Sequence, residues 1–600
     1  MISGTAAGTS TLTVSTSSGT AGGSYAITVA ASDAKSSGSS NGPQALALTI
    51  PVPSYTLTAT ALSPGSVTAG GAATSTVTVT PVNGYTGSVN LSCSSTSGTP
   101  PPTCSFSPSS IVIGGPAGTS TLTVTTGGSA IGGSYTVSVT GSDAQGLAPS
   151  DGPQALALTT VGIIQHVVII FQENRSTDNM FQDPVLIKAG ADIASSGVNS
   201  LGQVIPLSPI GLGTGGSNPD AYDLAHSHKS FGEMCDLNSS TGVCAMDGAD
   251  LIYVTCNPGA PNCPPPNPQF MYVDPADVQP YFQMAEQYTF ADRMFQTNQG
   301  PSYPAHQFII SGTSAPQVGS DLFVMDNPHG IPLAGSDTGC TSPAGEYVEQ
   351  IDPDGNQIST YPCFEHQTLP DLLDAASLSW RYYTPTAGSI WTAPNSIEHL
   401  CGPNAPPPNA TACIGPDWIQ NVVLSPPGQT GQVLTDIANG QLATVSWVIP
   451  QGMESDHPGS NDGSGPSWVA SVVNAIGASP YWQNTAIFVL WDDWGGFYDH
   501  VAPPMLNSYE YGFRVPMIVV SAYAKPAYIS HVTHDFGSIL KFTEEALNLP
   551  SLGYADVAAD DLADCFNFSQ TPIAFQTIDA PLKADYFLND KRPVTDPDND

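Results

Sequence analysis

Residues 54–160 alternate apolar and polar side chains with the period of two that is typical of strands with one buried face. The clearest runs are Ser75-Thr76-Val77-Thr78-Val79-Thr80 and Thr121-Leu122-Thr123-Val124, and Gly, Pro and Asn separate such runs. Short strands punctuated by turn residues predict an immunoglobulin-like β-sandwich over residues 53–160. Ser, Thr and Gly dominate this region and titratable side chains are scarce. We therefore interpret it as a spacer, which could contact a cell surface or an extracellular polymer.

The start of the chain repeats the end of this predicted sandwich. Gly8-Thr9-Ser10-Thr11-Leu12-Thr13-Val14 recurs at residues 118–124, and Gly42-Pro43-Gln44-Ala45-Leu46-Ala47-Leu48 recurs at residues 152–158, both at an offset of 110. Residues 1–52 therefore predict a partial immunoglobulin-like repeat. Met1 falls midway through a repeat and is not followed by a basic start and an apolar segment, so we expect an export signal to lie upstream in a longer protein.

From residue 161 the pattern changes to alternating strand and helix signals. Apolar runs predict strands at 166–171, 443–449, 486–491 and 515–520. Amphipathic stretches predict helices at 276–288, 368–377, 467–477 and 537–546. This alternation is typical of an α/β domain with a central, mostly parallel sheet flanked by helices.

We assign this predicted α/β domain to residues 161–590 and a C-terminal tail to residues 591–600. Loops rich in Pro, Gly and Cys at 205–270 and 325–420 are interpreted as insertions above the sheet. In such folds the active site lies at the carboxyl ends of the strands, outside the sheet.

The charge of the chain argues against one class of function. Lys and Arg number 12 and Asp and Glu number 50, giving a net charge of −38, of which residues 1–160 carry only −2. So acidic a chain cannot bind nucleic acid through non-specific phosphate contacts. Because cations are scarce, Arg175 and Lys229 become candidate anion contacts, with a solvated surface cation as the equal alternative.

Ten of the eleven cysteines fall into close pairs in the sequence: Cys93 with Cys104, Cys235 with Cys244, Cys256 with Cys263, Cys340 with Cys363, and Cys401 with Cys413. Cys565 is left over. None of the pairs has the spacing of a zinc ribbon, so we predict five short-loop disulfides and a secreted or cell-surface protein. No apolar run approaches the ~20 residues that span a bilayer, and we expect no transmembrane segment.

Two predicted strands end in oxygen-bearing side chains. His166-Val167-Val168-Ile169-Ile170-Phe171 leads into Glu173-Asn174, and Ala486-Ile487-Phe488-Val489-Leu490-Trp491 leads into Asp492-Asp493 and a Gly-Gly turn. An acidic turn after one strand is usually only a turn. Two such strands suggest one site for a hard cation or a phosphate.

The order of several blocks resembles a known family. The blocks are Glu173-Asn174-Arg175-Ser176, Asp223-Leu224-Ala225-His226-Ser227-His228 with Ala245-Met246-Asp247-Gly248, Gly300-Pro301-Ser302-Tyr303-Pro304, Ser455-Asp456-His457-Pro458, Asp492-Asp493-Trp494-Gly495-Gly496-Phe497-Tyr498-Asp499-His500-Val501, and Gly512-Phe513-Arg514-Val515-Pro516. They resemble the bacterial phosphoesterase family, which holds phosphatidylcholine-type phospholipases C and acid phosphatases with a core similar to alkaline phosphatase. The resemblance covers about residues 161–590.

The resemblance implies a ligand set and a nucleophile. Carried over by position, Glu173, Asn174, Asp492 and Asp493 become ligands of a divalent metal, and Ser302 becomes the nucleophile. Taken alone, Gly300-Pro301-Ser302-Tyr303-Pro304 predicts only a turn. Oxygen ligands favour Ca²⁺, Mg²⁺ or Mn²⁺, and zinc stays possible. Members of the family commonly have Asp-Glu-His where this chain has Asp492-Asp493-Trp494, which leaves the identity of the metal open.

Several histidines compete for the remaining roles, which are proton transfer and contact with phosphate oxygens. His226 and His457 lie in matching blocks and are predicted to be catalytic. Arg175, His228, His399 and His500 are candidate substrate-binding residues, and His534 is a further histidine without an assigned role. For His500, a structural hydrogen bond that holds the Gly-Gly turn is an equal alternative.

Together these features favour a secreted metal-dependent phosphoesterase of phospholipase C or acid phosphatase type that acts through a phosphoserine. A chain with a net charge of −38 is repelled by anionic lipid, so phosphatidylcholine or soluble monoesters are the favoured substrates. The alternative is a surface adhesin or glycan-binding protein with an inactive phosphoesterase core.

Overall fold

The structure, a computed structural model, describes residues 8–17, 19–32, 38, 41–95, 101–127, 133–215, 219–238, 240–329, 338–425 and 431–595. Parts of the predicted segments lie outside the described residues. Among them are residues 1–7 of the predicted partial repeat, Gly132 of the predicted sandwich, and residues 596–600 of the predicted C-terminal tail. The chain divides into two compact units, Met1–Val161 and Gly162–Asp600.

The described residues of the first unit form eleven strands: β1 (Gly23–Val29), β2 (Gln44–Ile50), β3 (Ser54–Ala59), β4 (Ser66–Thr68), β5 (Ala72–Val82), β6 (Gly87–Ser95), β7 (Thr103–Ser107), β8 (Ser110–Ile113), β9 (Gly118–Thr125), β10 (Gly133–Ser142) and β11 (Gln154–Val161). One sheet has the order β4-β11-β10-β6-β8 and a second has the order β3-β5-β9-β7. Alternate residues of both sheets, such as Val79 and Val139, fill one common core. The predicted sandwich is therefore present as two sheets, while its immunoglobulin-like character stays a prediction.

The sequence repeat also appears as a structural repeat. Strands β1 and β2 pair Tyr25 with Leu48, and strands β10 and β11 pair Tyr135 with Leu158, the same register 110 residues later. Leu158 is fully buried under the second sheet. In the first copy Tyr25 is 39% exposed, so the hairpin of residues 23–50 lacks that cover within the described part of the chain.

The second unit adds nineteen strands within its described residues: β12 (His166–Gln172), β13 (Ser196–Val198), β14 (Val204–Pro206), β15 (Ser208–Ile210), β16 (Tyr222–Leu224), β17 (Leu237–Asn238), β18 (Val243–Cys244), β19 (Val254–Cys256), β20 (Met271–Val273), β21 (Thr289–Ala291), β22 (Phe323–Val324), β23 (Val348–Ile351), β24 (Gln357–Thr360), β25 (Trp380–Thr384), β26 (Val422–Leu424), β27 (Val445–Val448), β28 (Thr485–Trp491), β29 (Met517–Ser521) and β30 (Tyr528–Ser530). Eight of them form the central sheet, in the order β26-β25-β27-β12-β28-β29-β21-β30.

This central sheet is mixed rather than wholly parallel. The neighbours from β26 to β28 run parallel, whereas β29 is antiparallel to both β28 and β21. The four predicted strands, at 166–171, 443–449, 486–491 and 515–520, are confirmed to within a few residues. Their side chains are buried on both faces, as expected for a sheet covered by helices.

The described residues of this unit form twelve α-helices: α1 (Thr177–Met180), α2 (Pro184–Ala189), α3 (His228–Cys235), α4 (Gln279–Gln287), α5 (Ser302–Ser311), α6 (Leu369–Ala375), α7 (Glu398–Cys401), α8 (Pro416–Asn421), α9 (Gln432–Ala438), α10 (Gly465–Gly477), α11 (Phe536–Leu547) and α12 (Ala584–Asn589). The four predicted helices correspond to α4, α6, α10 and α11 and are confirmed. Helix α5 was not predicted, because its first residues read as a turn. The α/β class of the domain is therefore confirmed.

The predicted insertions hold a second, smaller core. Short strands and helix α3 lie between residues 205 and 270. They bury Phe231 and Met234 against Trp494 and Phe497, which follow Asp492-Asp493 after strand β28. The disulfides Cys235–Cys244 and Cys256–Cys263 close this insertion, and Cys340–Cys363 and Cys401–Cys413 close the later one. With Cys93–Cys104, which joins β6 to β7, all five predicted pairs are confirmed, and Cys565 is a buried free thiol.

Because the two units have separate cores, we expect a core substitution in one to leave the other intact. Leu122 is fully buried in the sandwich. Leu122→Ala should destabilise that unit by about 2–5 kcal/mol. In calorimetry, only the transition of the sandwich should move to lower temperature. An equal shift of both transitions would show that the units unfold as one.

Candidate active site

The register of two neighbouring strands creates the site. Strands β12 and β28 are parallel, and the register pairs Gln172 with Trp491, the last residue of each. Glu173-Asn174 and Asp492-Asp493 therefore leave the sheet side by side. The backbone N–H of Asn174 donates a hydrogen bond of 2.9 Å to Asp492 Oδ1, which joins the two strand ends directly. The sequence prediction that both strands contribute to one site agrees with this arrangement.

The Gly-Gly turn after Asp493 lets the two segments touch. Gly495 has a φ of +61°, and a Cβ at this position would lie 2.1 Å from the carbonyl oxygen of Asn174. The N–H of Gly495 donates a 2.7 Å hydrogen bond to Asp493 Oδ1 and orients that carboxylate. Glycine is required here for both its left-handed backbone and its lack of a side chain.

Helix α5 brings Ser302 to the same place. Ser302 is the first residue of the helix, and its hydroxyl lies 3.3 Å from Glu173 Oε2, 3.2 Å from Asn174 Oδ1 and 3.3 Å from Asp493 Oδ2. The side chain of Asn327 accepts a 3.0 Å hydrogen bond from the N–H of Tyr303 and holds this end of the helix. The partial positive charge of a helix N-terminus favours an anion beside Ser302.

The amide of Asn174 is oriented by two histidines. His226 Nδ1 donates to the carbonyl of Leu224 at 2.7 Å, and His457 Nδ1 donates to the carbonyl of Pro458 at 2.8 Å. One terminal atom of the Asn174 amide lies 3.0 Å from His226 Nε2 and 2.9 Å from His457 Nε2, so the two imidazoles hold this end of the amide. The other terminal atom is thereby turned toward Ser302.

This orientation places the amide among carboxylate oxygens. The terminal amide atom that faces Ser302 lies 3.2 Å from Glu173 Oε2 and 3.1 Å from Asp492 Oδ1. Among the residues that the structure describes, no Lys or Arg forms a salt bridge with Glu173, Asp492 or Asp493, and all three are fully buried. Buried carboxylates without a counter-ion are strongly disfavoured in their charged form.

Burial and this crowding raise the pKa values of two of the carboxyl groups. Burial, followed by the charges of Asp492 and Asp493, raises the pKa of Glu173 well above its ordinary range. Burial raises the pKa of Asp493 to about 8, an effect that the nearby His226 opposes and Asp492 reinforces. In the absence of a cation, this site therefore retains protons near neutral pH.

The donor set fits a divalent cation. Oxygens around a six-coordinate ion with bonds of about 2.1 Å lie about 3 Å apart, close to the spacing found here. Glu173, His306 and Asp492 also place one ligand atom each within 4.8 Å of one another. The residues that would hold the ion are thus Glu173, Asn174, Asp492 and Asp493, with Ser302 beside them. An additional imidazole makes Mn²⁺ or Zn²⁺ a reasonable occupant beside Mg²⁺ and Ca²⁺.

His306 is the site residue that the sequence analysis missed. It follows Ser302 by one helical turn, so both project from the same side of α5. Its Nε2 lies 3.2 Å from Glu173 Oε1, and burial lowers its pKa to about 4, which keeps the ring neutral. The i, i+4 spacing would have identified it only if the helix had been predicted first.

Arg175 does not have the predicted role. Its guanidinium is fully buried, forms a salt bridge with Asp220 and donates to the backbone carbonyl of Asp456 at 2.6 Å. The anion that it binds is therefore part of the protein, and its effect is to fix the segment after Glu173-Asn174 against the His457 block. The prediction of substrate contact is corrected on this ground.

His500 is partly buried and belongs to an ionic network with Asp178, Asp192 and Arg514. Its Nδ1 lies 2.7 Å from Asp178 Oδ2 and its Nε2 lies 2.9 Å from Asp192 Oδ1. Arg514 donates to Asp178 at 3.0 Å and to Asp499 at 3.1 Å. The alternative interpretation of His500, a structural contact that holds the turn, agrees with these partners better than substrate binding does.

The other candidates lie among different partners. His399 lies 2.9 Å from Glu365 and 3.1 Å from Asp371, partners that agree better with an ion pair than with the predicted substrate contact, which stays a prediction. His228 Nδ1 donates to the carbonyl of Gln299 at 2.9 Å, near the start of α5, and its role stays a prediction. Lys229 is largely exposed and pairs with Glu233, as a solvated cation would. His534 Nδ1 lies 2.9 Å from Asp560.

A model of the phosphoesterase family matches residues 164–550, so the chain belongs to the phosphoesterase family. It is similar to a non-hemolytic phospholipase C of Pseudomonas aeruginosa, with 26% identity over 68% of this chain and 57% of that protein. It is also similar to phospholipase C B of Mycobacterium tuberculosis, with 23% identity over 68% of this chain and 78% of the other. The chain thus spans little more than half of the Pseudomonas protein. 

Among solved structures, a protein of the alkaline phosphatase superfamily from Vibrio parahaemolyticus aligns over 47% of this chain and 64% of its own, with 11% identity and a TM-score of 0.27. That similarity is too weak to assign the fold in detail. The resemblance of the core to alkaline phosphatase therefore stays a prediction.

The close approach at Gly495 predicts a large effect of adding one methyl group. Gly495→Ala should lower the free energy of unfolding of this unit by about 2–5 kcal/mol, from backbone strain plus the clash with Asn174. Gly553 is the matched control, since it has a φ of +85° but no atom within 4 Å of its Cβ position. Gly553→Ala should cost only about 1–2 kcal/mol in denaturant unfolding. Equal losses would show that the contact does not matter.

The raised pKa of Asp493 predicts how stability changes with pH in the chelator-treated protein. A carboxyl whose pKa rises on folding stabilises the protein fully below the unfolded value, near 3.8, and loses this contribution as the pH rises to about 8. Asp493→Asn removes the titration. The stability of the wild type should therefore fall relative to the variant between pH 5 and 8, by at most about 1.4 kcal/mol per pH unit. Parallel denaturation profiles would contradict the assignment.

Proposed function

We propose that this protein is a secreted, metal-dependent phosphoesterase that hydrolyses phosphate esters through a phosphoserine at Ser302. The observation that carries the proposal is the position of the Ser302 hydroxyl at the N-terminus of α5, within 3.3 Å of oxygens from Glu173, Asn174 and Asp493. A nucleophile, a ligand set and a helix N-terminus thus meet at one buried point.

The proposed reaction has two displacements at phosphorus. In the first, Ser302 Oγ loses its proton to a neighbouring carboxylate and forms a bond to phosphorus, while the bond from phosphorus to the leaving oxygen breaks and that oxygen takes up the proton. In the second, water attacks phosphorus and gives up a proton, Ser302 Oγ leaves and regains a proton, and phosphate or a phosphomonoester is released. A bound divalent cation would neutralise charge on the phosphoryl group and favour the ionised serine.

The protein residues divide the remaining work. Glu173, Asn174, Asp492 and Asp493 would hold the cation, and the positive end of α5 would stabilise negative charge on the phosphoryl oxygens. His226 and His457 fix the amide of Asn174 through contacts of 3.0 and 2.9 Å, so their proposed catalytic contribution is to keep the ligand oxygen aimed at Ser302. His228, near the start of α5, is the histidine that we propose for contact with substrate.

Location and substrate follow from independent features. Five disulfides support export to an oxidising compartment. In the described part of the chain, no helix has the length and apolarity needed to cross a membrane. Relatives named phospholipase C support a phospholipid or related phosphodiester substrate. The net charge of −38 disfavours anionic lipids, so phosphatidylcholine and soluble choline phosphodiesters are the proposed substrates.

The adhesin alternative is less well supported. An inactive core would not need to keep oxygens of Glu173 and Asp493 within 3.3 Å of the Ser302 hydroxyl, in a buried cluster without a salt bridge to Lys or Arg among the described residues. The two-sheet unit at residues 54–160 could still contact a surface, which would add to catalysis and not replace it.

The nucleophile is tested by removing one hydroxyl. Ser302→Ala should lower kcat/KM on a soluble chromogenic phosphocholine ester by at least about 10³-fold, because the covalent step is lost. Peptide mass spectrometry of acid-quenched wild-type enzyme should find phosphate on Ser302. Ser446 is the matched control, since it is equally buried and its hydroxyl has no hydrogen-bond partner. Ser446→Ala should keep wild-type turnover. Retained turnover in Ser302→Ala would remove the covalent mechanism.

A further inference from the structure

The hairpin of residues 196–206 and the segment of residues 250–253 expose large apolar side chains. Strands β13 and β14 form a hairpin in which Val198 pairs with Val204, and Leu201 lies in its turn. Leu251 and Tyr253 follow in the later part of the insertion. We call these five residues the apolar rim. Leu201, Val204 and Tyr253 are 76%, 69% and 72% exposed, in contrast to the scattered partly covered apolar residues of most protein surfaces.

The hairpin has a defined inner and outer face. Gly197 and Ile205 point inward, since a Cβ on Gly197 would lie 2.5 Å from the ring of Tyr498 and Ile205 packs against the small core. Side chains alternate along a strand, so Val198 and Val204 point outward. Their exposure is therefore a consequence of register and not of a missing neighbour inside the fold.

Direct contacts join the parts of the apolar rim. The N–H and hydroxyl of Ser200 both donate hydrogen bonds of 2.8 Å to the carboxylate of Asp250. Leu201 and Leu251 immediately follow these two bonded residues. The hairpin turn and the segment of residues 250–253 are thus held against each other, and their apolar side chains belong to one surface.

The apolar rim also connects to the catalytic residues. The carbonyl of Tyr253 accepts a 2.9 Å hydrogen bond from the N–H of Ala225, the residue before His226. His226 in turn contacts the amide of Asn174. The disulfides Cys235–Cys244 and Cys256–Cys263 brace the insertion that carries this part of the surface.

The charge of residues 190–292 determines which kind of surface this region can bind. Between residues 190 and 292, Lys229 is the only Lys or Arg, and it pairs with Glu233. Asp236, Asp247 and Asp250 lie in the same stretch of the chain, residues 190–292, as the apolar rim. Acidic groups repel anionic lipid, whereas aliphatic side chains and a tyrosine suit the interface of a neutral bilayer.

We propose that the apolar rim docks the protein on zwitterionic phospholipid membranes, so that substrate reaches Ser302 from the bilayer. This inference rests on the proposed function for its substrate, but membrane binding can be measured without catalysis. The rim would enter the interface while the acidic side chains of the insertion stay in water. Phosphatidylcholine surfaces are the predicted occupant.

Binding is tested in the full chain carrying Ser302→Ala, so that vesicles are not consumed. Sedimentation with phosphatidylcholine vesicles compares Leu201→Gln/Tyr253→Gln with the control Val318→Gln/Ile419→Gln, whose residues are 71% and 69% exposed outside the apolar rim. The rim variant should lose at least ~10-fold in partition coefficient, and the control should change less than ~2-fold. Both should melt like the parent protein. Vesicles that contain phosphatidylglycerol should bind more weakly, with recovery in salt.

Several outcomes overturn the proposal: no binding of the parent protein to phosphatidylcholine vesicles, equal losses in both variants, or a parent dimer in analytical ultracentrifugation that only the rim variant dissociates. The last result would identify a second copy as the occupant. Wild-type hydrolysis of a soluble phosphocholine ester is measured separately. Vesicle binding without hydrolysis would support the apolar rim and contradict the proposed function, while hydrolysis without vesicle binding would do the reverse.

Discussion

The arrangement of this site depends on one constraint, the parallel register that ends strands β12 and β28 at the same level. Gln172 and Trp491 are paired, so Glu173 and Asp492 must leave the sheet as neighbours. Three buried carboxylates then share a small volume with no salt bridge to Lys or Arg among the described residues. Such a cluster lowers the stability of the folded protein when no cation is bound. A bound cation would offset this loss of stability.

The surrounding structure supports this cluster without neutralising it. Arg175 and Arg514 are both fully buried, yet each binds a different carboxylate, Asp220 and Asp499 respectively. The two guanidinium groups hold the segments that carry the site residues in place. They do not pair with the carboxylates of Glu173, Asp492 and Asp493. His226 and His457 act in the same way on Asn174, because they hold one end of its amide while their Nδ1 atoms donate to backbone carbonyls. Positioning and ligand binding are thus assigned to different residues.

Much of this fold could be predicted from local sequence patterns. The features that could not be predicted depend on contacts between residues that are far apart in the sequence. The strand at 166–171 and the helix at 537–546 have strong periodicity, and close cysteine spacing gave the disulfides. Helix α5 was missed because Pro301 and Pro304 resemble turn residues, although proline is tolerated in the first turn of a helix. His306 was missed with it. The partner of Arg175 is 45 residues away in sequence, so scarcity of cations suggested substrate contact instead.

The central claim is that the buried carboxylates hold a catalytic cation, and the metal content of purified protein tests it most directly. Elemental analysis of the active wild type should find about one divalent ion per chain, as expected for one cluster of hard ligands. Asp492→Asn should lose that ion together with activity, because Asp492 Oδ1 lies 3.1 Å from the Asn174 amide at the centre of the cluster. An extensively dialysed wild-type protein that is fully active without any divalent metal would contradict the account.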